Sequence, residues 1–224
     1  RPRRSRNWPK AGSVSCNQAG DCEMGFSYPM LRGLEKKQTA FTGLAGHFIF
    51  GVNLSFRGQT LNGEGVFVSG SYFSTLGLRP ALGRLLMPAD DQTIGGHFVT
   101  VLGHSYWETQ LGANPAVLNE QIIINGHPMT IVGVAPRGFE GTTLGTRPRV
   151  YVPISMRAQM NPGWEGFTNR RSYWVYAFGR LKPGVSVAQA QTTYPNVKVT
   201  GRLQEQFYYF GNEDYAATVG PQSN

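Results

Sequence analysis

The chain has 224 residues, of which 40% are hydrophobic and 15% charged, with 29 glycines and a formal net charge of +8. That balance excludes a disordered or fibrous chain and gives one ordinary domain, or two small ones, with a core that needs no staple. The charge is uneven, because Arg1, Arg3, Arg4, Arg6 and Lys10 open the chain without an acid. Such an arm suits nucleic acid, anionic headgroups or plain solvation. No aromatic-interleaved basic stripe follows Trp8, so single-strand binding gains no support.

No stretch approaches the ~20 consecutive apolar residues of a spanning helix. HFIFGV and FVTVLG are strand-sized, so the chain as given is expected to be soluble. The basic opening runs into WPKAGSVS rather than into the apolar region of a signal peptide. Cys16 and Cys22 enclose five residues, a spacing that suits neither a redox pair nor a zinc knuckle. A local disulfide in an oxidising compartment and two free thiols both stay open.

In chain order, Ser27 suits an N-cap and Pro29 the first turn of a helix. Met30, Leu31, Leu34 and Phe41 then recur at helical spacing, with a weak point at Gly33. HFIFGVNLSFRG and TLNGEGVFVSG read as two strands turning at Gly58-Gln59. Ser69 is placed to cap a short helix through Tyr72, Phe73 and Leu76, closed by Gly77. LRPALGRLLMPADD reads as an irregular connector and residues 98–103 as a buried strand. Ser105 with Glu108 forms a capping box on a helix through Trp107 and Leu111 that Gly112 ends. Asn114-Pro115 starts one more helical turn.

QIIINGHPMTIVGV is the sharpest signal, since Asn125-Gly126 separates two β-rich runs by the two residues of a type I′ turn. Of the pair, Gly126 is expected to tolerate substitution less than Asn125. VYVP is a short strand. SYWVYAFGRL is a long alternating one, with Tyr173, Val175 and Ala177 on one face and Trp174, Tyr176 and Phe178 on the other. Pro183-Gly184 turns into a second capping box, Ser186 with Gln189. A tight hairpin among irregularly alternating helices and strands predicts an α+β fold whose sheet is mixed or antiparallel.

Chemistry finds little purchase. No phosphate-cradling loop is present, Gly63 and Gly65 lack the third glycine of a dinucleotide site, and Ser105 sits in GHSYW rather than in a nucleophile elbow. Asp90-Asp91 reads as a solvated turn rather than a cation site. No catalytic, cofactor-binding or metal-binding residue is assigned, and no nucleic acid is expected as a partner. The one surface candidate is PGWEGFTNRRSYW, where Trp164, Phe167, Arg170, Arg171 and Trp174 combine the aromatic and guanidinium groups enriched at protein interfaces. The competing reading is a loop pinned by its own aromatics.

The ordered blocks FSYP, VSGSYF with LGLRPALGR, YW with LGANPAV, INGHPMTIVGVAP with RGFEGT, PGWEGFTNRR and GRLKPGVS span residues 26–191. This run resembles the MacB-like periplasmic core domain, in the version carried by the large acidobacterial-type permeases of the ABC superfamily. The resemblance implies an extracytoplasmic domain inserted between two membrane helices of a permease, without chemistry of its own. It further implies partners in other permease domains or subunits, a separate cytoplasmic ATPase and a periplasmic protein. Residues 1–25 are expected to form a basic mobile segment and 192–224 a divergent tail, since both depart from the family pattern. A soluble secreted enzyme and a basic nucleic-acid module are the alternatives.

Overall fold

The computed structural model describes residues 25–143 and 145–193, together with the short strands β1 (Ser15–Cys16) and β2 (Cys22–Glu23) and two later strands, Lys198–Gln204 and Phe207–Gly211. The N-terminal arm with Trp8 lies outside the described residues, as does the question whether Cys16 is bonded to Cys22.

Helix α1 (Tyr28–Lys37) leads into the longest element, β3 (Phe41–Phe56), which folds back as β4 (Gln59–Val68). A one-turn helix α2 (Tyr72–Leu76) and a two-residue strand β5 (Leu82–Gly83) precede β6 (Val99–Leu102) and α3 (His104–Gln110). The hairpin β7 (Gln121–Ile124) and β8 (His127–Val134) is followed by β9 (Val150–Pro153) and the short helix α4 (Arg157–Met160). The chain then forms β10 (Tyr176–Leu181), α5 (Val187–Thr193), β11 (Lys198–Gln204) and β12 (Phe207–Gly211).

Ten of these strands share one sheet in the order β11-β12-β10-β3-β4-β9-β6-β8-β5, with β7 pairing both β3 and β8. The β4/β9 and β6/β8 pairs are parallel and the rest antiparallel. The fold is therefore α+β with a mixed sheet. The stretch read as a divergent tail contributes β11 and β12, and β12 pairs with β10.

Alternation along the strands divides the apolar side chains between two faces. One core gathers Leu31 of α1, Phe67, Leu102, Val150, Val152 and the buried side of the β7/β8 hairpin. The opposite face gathers Val66, Val68, Val101, Tyr151 and Phe178 under α2, whose Tyr72 and Phe73 are fully buried. Neighbouring positions of β4, β6 and β9 thus point into different cores.

Several sequence-level expectations need correction. Ser27 occupies the N-cap of α1 in extended conformation, but its hydroxyl makes no cap bond and is buried without a partner. The helix stops at Lys37 because Gln38 turns extended and its side-chain oxygen takes the N–H of Phe41 at 3.0 Å, which makes Phe41 the first residue of β3. The β3/β4 turn is Arg57-Gly58, at φ of 49° and 81° as a type I′ turn demands, one residue earlier than the sequence suggests. Ser69 does not cap α2; its hydroxyl accepts the Gly46 N–H at 3.0 Å, locking the end of β4 to β3. Gly77 does take the left-handed C-terminal position, at φ 71°.

The capping box at Ser105 is absent. Gly103 is the N-cap of α3, a position where the carbonyl of Pro148 leaves no room for a Cβ, and the Ser105 hydroxyl donates to Glu140 at 2.8 Å. The Ser186 and Gln189 box is present, with reciprocal bonds of 2.8 and 3.2 Å. Asn114 caps a 3-10 turn through the Ala116 N–H at 2.9 Å. The strand β10 is shorter than expected, and Trp174 and Val175 both enter the first core, because Val175 pairs with Phe26 as an isolated bridge outside the ladder.

Asp90-Asp91 is buried rather than solvated. Asp91 accepts the N–H groups of Gly70 and Ser155, each at 3.0 Å, and pairs with Arg32 of α1. Asp90 takes a two-pronged bond from Arg84 at 2.6 and 2.9 Å and the Met87 N–H at 2.9 Å. Burial opposes its charge, but these donors outweigh it and hold Asp90 below the ordinary carboxylate range. The turn ties α1, β4 and the chain after β9 to one point.

Candidate functional site

The segment after α4 is wound tightly on itself. The carbonyl of Arg157 accepts the Asn161 N–H at 2.9 Å, and the Asn161 carbonyl accepts that of Trp164 at 3.2 Å. Gly163 turns the chain at φ 86°, and Gly166 lies under the Trp164 ring where no Cβ fits. Farther on, the Asn169 side chain takes the Arg171 N–H at 2.9 Å.

These turns bring the predicted aromatics into a single cluster. Trp164 meets Phe167 edge to face at 4.8 Å and Trp174 at 5.0 Å, while Tyr28 of α1 meets Phe167 at 4.8 Å. Phe167 and Trp174 are buried and Trp164 is half-buried. Arg170 and Arg171 are exposed and stay on the surface. The aromatic part of the candidate patch is therefore packing, and its surface share is the two arginines and an edge of Trp164.

The residue that sequence reasoning missed is Arg157. Its guanidinium carbon lies 4.0 Å from the Trp174 ring centroid and 4.4 Å from those of Trp164 and Phe48. The residue is only 8% exposed, and its Nε and Nη1 are buried without a hydrogen-bond partner. No acid pairs with it among the described residues. Burial without a counter-charge lowers its pKa to about 10, and the ring faces supply the attraction that holds it. The only hint in the sequence is a cation inside the apolar run VYVPISMRAQM.

Beside Arg157 is a gap in the sheet edge. Strand β10 pairs with β3 as far as His47, and β7 resumes only at Leu54, so residues 48–53 have no strand across that edge. Asn125 of the β7/β8 turn fills part of the gap: it exchanges bonds with the Asn53 backbone at 2.7 and 2.9 Å, and its amide donates to Gly51 and Met160 carbonyls at 3.2 and 3.1 Å. What remains is an open notch of about 390 Å³, lined by Phe48, Phe50, Phe67, Arg157, Met160 and Asn161 among others. Phe50 and Phe67 stack across its floor at 3.8 Å.

Among the described residues, no group of three or more His, Cys, Asp or Glu side chains is placed to hold a metal ion, and no helix is long and apolar enough to cross a membrane.

Three solved structures share the fold. The periplasmic region of MacB from Actinobacillus actinomycetemcomitans superposes with a TM-score of 0.63 at 16% identity, covering 96% of this chain and 92% of that one. The extracellular domain of the noncanonic ABC-type transporter YknZ from Gram-positive bacteria gives 0.55 at 13% identity, covering 83% and 89%. A domain of a putative permease protein from Porphyromonas gingivalis gives 0.51 at 14% identity, covering 84% of each chain. A search of curated proteins finds no match. At such identities the likeness concerns the fold alone, but a family model matches residues 6–194, and on that ground the chain belongs to the MacB-like periplasmic core domain family.

Proposed function

We propose that this domain is the extracytoplasmic part of an ABC permease that docks a partner and passes on the motion of a separate cytoplasmic ATPase, with no covalent chemistry of its own. The observation that carries this reading is the family match over residues 6–194. The ordered motif blocks favour the acidobacterial-type branch of these permeases. The exposed Arg170 and Arg171, mounted on an aromatic base that fixes their loop, supply the chemistry of a docking edge: guanidinium forks for carboxylates and the rim of Trp164 for an apolar contact.

The test is a reconstituted permease carrying Trp164→Ala with Arg170→Ala. Weakened coupling or partner binding with an unchanged circular dichroism spectrum supports the reading. If the double variant unfolds while Trp164→Phe and Arg170→Ala with Arg171→Ala are silent in transport and binding, the segment only packs and the docking edge lies elsewhere.

A further inference from the structure

The notch beside β3 combines two features that do not need each other for folding. One is a guanidinium with two nitrogens sealed from water and no acid partner among the described residues; the other is a stretch of sheet edge left without a strand. A buried cation without a counter-charge is costly, and here the ring faces of Phe48, Trp164 and Trp174 offset part of that cost. A fold that needed only to fill this space has Met160 close by as the simpler solution.

The donors around the notch point to a ligand of one charge type. Arg157 presents N–H groups only, and because Nε and Nη1 are sealed off, the guanidinium meets the notch through Nη2. Backbone groups of alternate strand residues face the same edge. The Asn53 N–H and C=O and the Gly51 C=O are all reached by Asn125 from the gap side, so the Gly51 N–H faces the gap as well. Asn125 has spent its amide on carbonyls, and no carboxylate lines the notch. Asn161 also lines the notch, and Phe48, Phe50, Phe67 and Met160 supply its apolar side chains. A hollow of this volume that sets convergent donors beside aromatic side chains suits a small molecule with an anionic end.

We propose that the notch binds a small apolar carboxylic acid, an aromatic or branched aliphatic carboxylate whose anionic end meets Arg157 and whose body lies against Phe48 and the stacked Phe50 and Phe67. The aromatic box around Arg157 fixes the guanidinium, so little side-chain freedom is lost when the ligand arrives. Trp164 and Trp174 form two walls of that box, which gives binding an intrinsic optical reporter. The site needs nothing from a permease partner, so its failure and the failure of the docking role are separate results.

The experiment titrates the full chain with 3-phenylpropionate, its neutral amide and inorganic phosphate, followed by tryptophan fluorescence and calorimetry at low salt. The acid is expected to saturate and to bind at least tenfold more tightly than the amide. Arg157→Met is expected to abolish that difference, and Arg157→Lys, which keeps the charge without the fork, to reduce it several-fold. Equal affinity for acid and amide, or undiminished binding in either Arg157 variant, overturns the proposal. Phosphate binding as tightly as the acid shows a bare anion site and overturns it too. So does an acidic peptide that binds where the acid does not, because the occupant is then a protein.

Discussion

His47 illustrates how far one side chain can depart from its usual chemistry. It is fully buried on β3 among Tyr72, Tyr176 and Phe178, with ring centroids at 6.0, 5.6 and 6.0 Å, and neither ring nitrogen has a hydrogen-bond partner. Burial disfavours its charged form and lowers its pKa to about 4. In the unfolded chain a histidine titrates near 6.5, so between these values the unfolded state binds the extra proton. Stability is then complete above about pH 6.5 and falls as pH drops toward 4, by an order of 3 kcal/mol. Replacing His47 by Phe is expected to flatten this limb in denaturant titrations at pH 4.5 and 7.5; an unchanged slope would place the acid sensitivity elsewhere. Asn125 and Gly126 show a reversal of expectation. Gly126 has φ 86° with open space around it, so Gly126→Val carries backbone strain alone, about 1–2 kcal/mol. Asn125→Ala also keeps a positive φ of 48° and deletes bonds to three backbone groups, so about 2–3 kcal/mol is expected. Urea midpoints of the two variants order them. The turn itself was legible because two adjacent residues determine it. The second role of Asn125 was not, since its partners lie far away in sequence.

At the level of elements, the boundaries that failed are those where a distant group outbids a local cap. Ser69 and Ser105 both have capping propensity, yet Ser69 serves a strand and Ser105 serves Glu140, whereas Ser27 keeps its N-cap position although its hydroxyl bonds to nothing. Where no competitor approaches, as at Ser186 and Asn114, the local rule holds. The Asp90-Asp91 turn is the extreme case, because nothing in its own sequence announces Arg32, Gly70 and Ser155 as partners. Asp91→Ala leaves Arg32 without this partner and two buried N–H groups unpaired, so a loss of about 3–5 kcal/mol is expected. Thermal unfolding measures it, and a loss under about 1 kcal/mol, the range of an exposed ion pair, would mean that solvent reaches the turn.

On the scale of the molecule, one sheet serves both cores, so neither face can loosen without disturbing the other. Phe73→Ala on the α2 face is expected to cost about 3–5 kcal/mol. Because Trp107, Trp164 and Trp174 pack with the opposite core, their fluorescence is expected to report the same lowered midpoint as far-ultraviolet circular dichroism. Separate midpoints would mean two cooperative units. The α+β class was legible in the spacing of residues 26–191, and the family in the order of their motif blocks. The candidate patch was only half legible: composition marks Trp164, Phe167 and Trp174 as a group, but burial is decided by Tyr28 and Phe48, brought in from another part of the chain. Arg157 was invisible because the sequence carries no sign of where a cation will find aromatic faces.

The length of β3 has a mechanical meaning. Sixteen residues in one strand, at about 3.3 Å each, make a stiff rod of roughly 50 Å. Its first half is clamped by β10 and its last residues by β7, while residues 48–53 have β4 on one flank and only Asn125 on the other. The stretch with the fewest partners is where such a rod would yield first under load. A tilt of about 5° at the Phe41 end would shift the Arg57-Gly58 tip by roughly 2–4 Å for a rod of that rise per residue, and the notch lies beside the part of the strand that would bend.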